Sequence, residues 1–324
     1  MSRPDPSAGV LLMTYGSPAS LEAADVRTYL GRVRGGREPD DDLVAEFTSR
    51  YRIIGGSPLI EITRRQAEAL EARLSCPVTI GMRFSEPSIA GGLSQLVERG
   101  VGRVAAIVLS PQYSPLLMGG YSRALDEAQA SLDERAPEVI MAERWHDEPA
   151  FLDAVAERIR EARDRFPSDE RRSVPVLLTA HSLPRRVAEQ EPGYIDQLRE
   201  TAEAVAERAG LAADDWRFCW QSAGHQPGEW MTPDFVDLMP ELAAAGHRSV
   251  LVAPIQFLAD HLEVLYDVDV GAREQAERAG LRFERIESLN VQPRFIQALE
   301  AVARRSWLAN SAVPAAVASR VDRR

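Results

Sequence analysis

The chain has 324 residues, of which 45% are hydrophobic, and its 49 acidic against 38 basic residues leave a formal charge of −11. That length exceeds a usual single core and points to one large or two medium domains. The acidic balance argues against nucleic-acid binding, and every basic residue is arginine, which excludes a Schiff-base lysine or a lysine-bearing phosphate loop.

The first expected strand is Val10–Met13, ending at Tyr15 and broken by Gly16-Ser17-Pro18. Its apolar stretch is too short for a signal peptide, and no segment reaches the roughly 20 apolar residues of a membrane helix. A cytoplasmic protein without an integral membrane segment is expected. Next, RTYLGRVRGGREP (27–39) and TSRYRIIGGSPL (48–59) gather Arg32, Arg34, Arg37, Arg50 and Arg52 around two glycine pairs. In an acidic chain such a cluster suits an anionic ligand, since the guanidinium fork matches carboxylates and phosphates; the alternative is a solvated arginine-rich surface. The glycine pairs would let these loops close over a flat ligand.

Helix patterns at Ile62–Leu74, Ile89–Glu98 and Glu148–Arg163 then alternate with strands at Val78–Met82, Val104–Leu109 and Val139–Met141. The polar, proline-bounded stretch 162–175 reads as a linker. Beyond it come strands at Val176–Thr179, Arg217–Trp220, Val250–Ile255 and Leu281–Arg285, and helices at Gly193–Ala209 and Val291–Ser306. The Ala-, Val- and Arg-rich tail past Asn310 reads as frayed. Cys76 and Cys219 are too few for a disulfide framework or a four-cysteine cluster and read as packing residues.

This alternation is that of an α/β protein with parallel sheets. The halves also echo each other: LLMTYGSP (11–18) parallels LLTAHSLP (177–184), and VLSPQYSPLLMGGY (108–121) parallels APIQFLADHLEVLY (253–266). GMRFSEP (81–87) stands where WQSAGHQP (220–227) stands later. Two Rossmann-like domains, 8–165 and 172–310, would then face a central cleft lined by strand C-terminal ends, with the last helix free to pack back on the first domain.

His181 sits where an apolar strand leaves its sheet, the edge at which open α/β sheets bind ligands. A core histidine bonded to a backbone carbonyl is the mundane alternative. In PIQFLADHLEVLYDVDV (254–270), Asp260 reads as an N-cap, with Glu263 in the first turn and Asp267 four residues on. First-turn carboxylates can simply favour the helix dipole. Converging on a cleft, one imidazole and one or two carboxylates can instead take protons from a substrate or hold a divalent metal weakly.

Assembled in order, LLMTYGSP, RYRIIGGSPL, VLSPQYS with GGY, TAHSLP, WQSAG and DHLEVLYD resemble the ferrochelatase family over residues 9 to 305. The resemblance implies chelatase-type domains clasping a porphyrin, ferrous iron inserted as substrate, and a lyase of heme biosynthesis. His181 matches the catalytic histidine and Glu263 its partner carboxylate. Tyr15 is similar to a tyrosine of the soluble Gram-positive branch that ligates iron from the opposite face, which makes His181, Glu263 and Tyr15 the metal-contacting set. Arg34, Arg50, Tyr51, Ser57 and Tyr121 fall on porphyrin- or propionate-contacting positions.

That branch implies coproporphyrin III as the porphyrin. The alternatives are protoporphyrin IX, a cobalt or nickel chelatase for another tetrapyrrole, or a non-catalytic tetrapyrrole-binding protein. No permanently bound cofactor and no iron–sulfur cluster are expected; a monomer passing its product to a downstream heme-pathway enzyme is. The chain departs from the family in a shortened IGGSPL loop, in Phe84 where many relatives carry histidine, and in Gly271 where relatives often continue an acidic ladder.

Overall fold

The computed structural model describes residues 7–224 and 229–309. His225 to Pro227 of the WQSAGHQP motif, and the tail from residue 310, lie outside them. Strands β1 (Ala8–Thr14), β2 (Val78–Met82), β3 (Arg103–Val108) and β4 (Glu138–Met141) form a parallel sheet ordered β2-β1-β3-β4. Strands β5 (Val176–His181), β6 (Trp216–Gln221), β7 (Ser249–Pro254) and β8 (Arg282–Arg285) form a second parallel sheet ordered β6-β5-β7-β8. The orders are equivalent strand for strand, so the sequence echo between the halves is an echo of topology.

β1 is buried at every residue because helices cover both faces, which is why it reads as a continuous apolar run and not an alternating one. Leu12 pairs in register with Ile80 and Ile107, and Leu178 with Phe218 and Ala253. β5 runs two residues past its expected end, so His181 is the last strand residue and pairs with Gln221.

In the first half α1 (Ala23–Val33), α2 (Asp41–Ile53) and α3 (Leu59–Leu74) follow β1, α4 (Ile89–Glu98) follows β2, α5 (Pro115–Leu132) follows β3 and α6 (Pro149–Arg163) follows β4. The second half adds α7 (Arg185–Gln190), α8 (Pro192–Ala209), α9 (Phe235–Ala244), a π-helix (Glu263–Ala272), α10 (Arg273–Arg278) and α11 (Pro293–Ala309). One hydrophobic cluster joins the halves: Leu12 and Ile107 of the first sheet, Leu178 and Leu251 of the second, and Phe151 and Phe295 of the helices. α11 packs on α3, α6 and β3, so the C-terminal helix closes the first half.

Three local expectations change. The stretch 162–175 is a packed turn, with Phe166 and Val174 in the shared core and Arg163 donating to the carbonyls of Arg171 (2.8 Å) and Arg172 (3.0 Å). The glycine pairs are helix stops: Gly35, Gly36, Gly55 and Gly56 have positive φ, and the amides of Gly36 and Gly56 donate to Gly31 and Tyr51 carbonyls at 2.8 Å. This closes α1 and α2 as a Schellman-type turn closes a helix. Asp260 does not cap the next helix. Its carboxylate accepts instead from Ser288 (2.7 Å) and Asn290 (2.9 Å), and the π-helix starts at Glu263 without a side-chain cap.

Candidate active site

A cleft of about 570 Å³, within the range of cofactor-sized pockets, opens where the C-terminal edges of the two sheets meet. Leu30, Val33, Leu117, Met118, Leu183 and Leu262 give it apolar walls. The first sheet contributes Tyr15 just beyond β1, and the second contributes His181 at the end of β5. Equivalent strands of the two halves thus deliver the two residues.

His181 is fixed from three directions. Its backbone N–H donates to Gln256 Oε1 at 2.8 Å, and Gln256 in turn donates to the Tyr194 hydroxyl. Its ring Nδ1 lies 2.5 Å from the carbonyl oxygen of Ser182. A carbonyl only accepts, so Nδ1 carries a proton and Nε2 is the nitrogen left to exchange one. The backbone bond of the mundane alternative is therefore present, and it sets the tautomer while leaving Nε2 facing the cleft. Nε2 faces Glu263 Oε2 at 3.7 Å, and the same oxygen lies 4.0 Å from His261 Nε2. Glu263 opens the π-helix, a rare geometry that recurs at functional sites.

Asp267, one step along that helix, does not line the cleft. Burial raises its carboxyl above the ordinary range, partly offset by a hydrogen bond from Ser222. The π-helix is anchored from outside by Arg285, whose fork holds Asp269 at 2.7 and 2.9 Å while also lying 3.4 Å from Asp260. Gly271 adds no carboxylate to this ladder.

Tyrosines dominate the other wall. Burial, reinforced by the Glu263 charge, pushes the Tyr15 hydroxyl up to about 12, so it stands as a neutral phenol near pH 7. Its ring meets Phe84 edge-on at 4.6 Å, so the residue in the position of the family's histidine packs the tyrosine. Tyr51, Tyr121 and Ser57 also line the cleft, although Tyr51 shares a hydrogen bond with the buried Tyr29. Ser57 lines it despite the shortened loop, its hydroxyl 3.4 Å from the Leu59 amide at the start of α3.

The arginine cluster is placed otherwise than the sequence suggests. Arg34 is exposed at the end of α1, outside the cleft lining. Arg50 turns away to pair with Glu46 and, at 3.7 Å, with Asp267, its guanidinium over the rings of Phe47 and Tyr266. Arg32 and Arg52 donate to backbone carbonyls of Phe84 and Leu21. The arginine that does line the cleft is Arg83. Nothing in its local sequence distinguishes it from the chain's other arginines, yet β2 ends at Met82, so it leaves its sheet edge as Tyr15 and His181 leave theirs.

A family model described as Ferrochelatase matches residues 7–307. The ferrochelatase of Herpetosiphon aurantiacus is 38% identical over 300 residues, covering 90% of this chain and 97% of that protein. The coproporphyrin III ferrochelatase of Geobacillus kaustophilus is 36% identical over 310 residues, covering 93% and 96%. Among solved structures, SirB from Bacillus subtilis with Fe3+ is similar with a TM-score of 0.57 at 12% identity, over 94% of this chain and 97% of that one, which establishes a shared chelatase fold. With the family match spanning both sheets and the whole cleft between them, this chain belongs to the ferrochelatase family.

Proposed function

We propose that this ferrochelatase inserts ferrous iron into coproporphyrin III, with His181 as the base, Glu263 as its partner and Tyr15 approaching iron from the opposite face. The observation that carries the reading is the His181 ring held between two groups, its Nδ1 2.5 Å from the Ser182 carbonyl and its Nε2 3.7 Å from Glu263. Metallation removes two pyrrole protons as iron enters. His181 takes a proton at Nε2, the Glu263 carboxylate stabilises the imidazolium, and the half-exposed Glu263 passes protons to water. The apolar walls hold the macrocycle so that iron and base meet it in one orientation. Asp267 stands behind Glu263 as the next carboxylate along the π-helix.

Coproporphyrin III is favoured by Tyr15 and by the naming of several relatives at 34–36% identity as coproporphyrin III ferrochelatases. Anaerobic metallation of coproporphyrin III and protoporphyrin IX by the same preparation tests the substrate. A kcat/KM about tenfold or more higher for coproporphyrin is expected, because polar groups in a site discriminate against a ligand lacking their partners. Equal efficiency would overturn the substrate and leave the iron-insertion chemistry standing.

A further inference from the structure

We propose that Arg83 is the cleft's receptor for a carboxylate of the porphyrin substrate. Arg83 is the one arginine among the described residues that line the cleft, and Glu263 the one carboxylate. Its backbone is fixed where β2 leaves the sheet, the Arg83 amide donating to the Thr14 carbonyl at 2.9 Å. Its guanidinium lies 4.7 Å from the Phe84 ring centroid and 5.3 Å from that of Tyr121. Those rings orient the plane but accept none of its N–H groups in the manner of a carboxylate. Among the described residues the Arg83 side chain has no hydrogen-bond acceptor and no acidic partner, whereas Arg32, Arg50 and Arg52 are all engaged.

The fold also makes room for it. A Cβ added at Gly120 would fall on the Arg83 guanidinium, so this glycine of the GGY sequence is the space through which the side chain reaches the cleft. A cation held by aromatic stacking, with its donor fork unspent and apolar walls beside it, is built to take a planar anion in two parallel hydrogen bonds. Coproporphyrin and protoporphyrin both carry propionates, so the inference rests on a propionate-bearing porphyrin and not on which of the two is preferred. The rival role is electrostatic: the Arg83 charge also bears on the Tyr15 hydroxyl beside it.

Arg83→Gln, Arg83→Lys and Gly120→Ala separate these roles, with coproporphyrin III and its tetramethyl ester in detergent as probes. The Gln variant is expected to raise KM for the free acid about tenfold or more, as loss of a charged hydrogen bond does, with kcat changed by less than about threefold. Its Kd for the ester, read by fluorescence quenching, should stay at the wild-type value. Lysine should restore part of the loss, since it keeps the charge without the fork. Gly120→Ala should reproduce the KM defect with Arg83 still present, because it displaces only the far end of a flexible side chain. An unchanged KM, an equal loss for acid and ester, or an effect confined to kcat and its pH profile would overturn the assignment. Failure of wild-type enzyme to metallate coproporphyrin III would instead strike the proposed substrate.

Discussion

One carboxylate oxygen of Glu263 lies 3.7 Å from Nε2 of His181 and 4.0 Å from Nε2 of His261. His181 comes from the end of β5 and the other two from the segment after β7, so the group exists only because β5 and β7 are neighbours in the sheet. Two imidazoles and one carboxylate thus share one side of the cleft, and the Ser182 carbonyl, by engaging Nδ1, leaves Nε2 of His181 facing Glu263.

His181→Ala is expected to lower iron insertion by about a hundredfold or more while leaving the fold and porphyrin binding near wild type, since a positioned base contributes on that order. Metallation rates beside circular dichroism and porphyrin quenching check this. Wild-type turnover would remove His181 from the mechanism.

Glu263→Gln keeps the side-chain shape and removes charge and basicity. It should slow metallation more than Asp267→Asn does, because Glu263 faces His181 while Asp267 is held behind it by Ser222 and Arg50. Initial rates with ferrous and zinc ions decide the order, and an essential Asp267 beside a dispensable Glu263 would reverse it.

Tyr15→Phe should reduce the metallation rate by a factor that stays constant from about pH 7 to pH 9. With its hydroxyl pushed up to about 12, Tyr15 remains protonated throughout that interval and contributes as a phenol. A wild-type to variant rate ratio that climbed tenfold per pH unit would show a phenolate at work.

Arg285→Met leaves Asp260 and Asp269 without their shared cation. Breaking a largely buried ion pair this way is expected to cost about 3 kcal/mol and lower the melting temperature by several degrees. The π-helix carrying Glu263 should loosen with it, so kcat falls although Arg285 touches no substrate. Arg285→Lys should restore little, because one ammonium cannot reproduce the fork across Asp269. A full-activity Arg285→Met enzyme with an unchanged melt would show the clamp to be idle.

Asp234 caps α9, accepting from the Val236 amide at 3.0 Å, and burial with the nearby Asp237 and Asp267 charges raises its carboxyl to about 6. The folded chain therefore holds this proton more tightly than the unfolded chain. Its contribution to stability is complete below about pH 4 and is lost as pH rises through about 6. Asparagine caps equally well and cannot ionise. Asp234→Asn should thus gain about 1 kcal/mol at pH 7.5, the figure discounted for partial exposure, and nothing at pH 4. Denaturant melts at the two pH values test this; a gain at pH 4 would point to packing instead.

The strands, their parallel class, the repeat between the halves and the placement of Tyr15 and His181 at sheet edges were all legible in the chain itself. Each depends on short apolar runs and the breakers that end them, which act through near neighbours. The resemblance in DHLEVLYD marked Glu263 by the same local route. What the local pattern could not supply was the partner of each charge. Arg50 lies beside GGSPL in sequence, yet folding brings it against Asp267 of the π-helix. Asp260 has the spacing of an N-cap, yet Ser288, Asn290 and Arg285 claim its oxygens. Arg83 looks like any arginine in an arginine-only chain until the missing Cβ of Gly120 and the rings of Phe84 and Tyr121 place it in the cleft. Strand and helix follow from short-range sterics and burial, but a long flexible charged side chain takes whichever counter-charge the tertiary structure brings within a few ångströms, and that distance is set by the packing of the two halves.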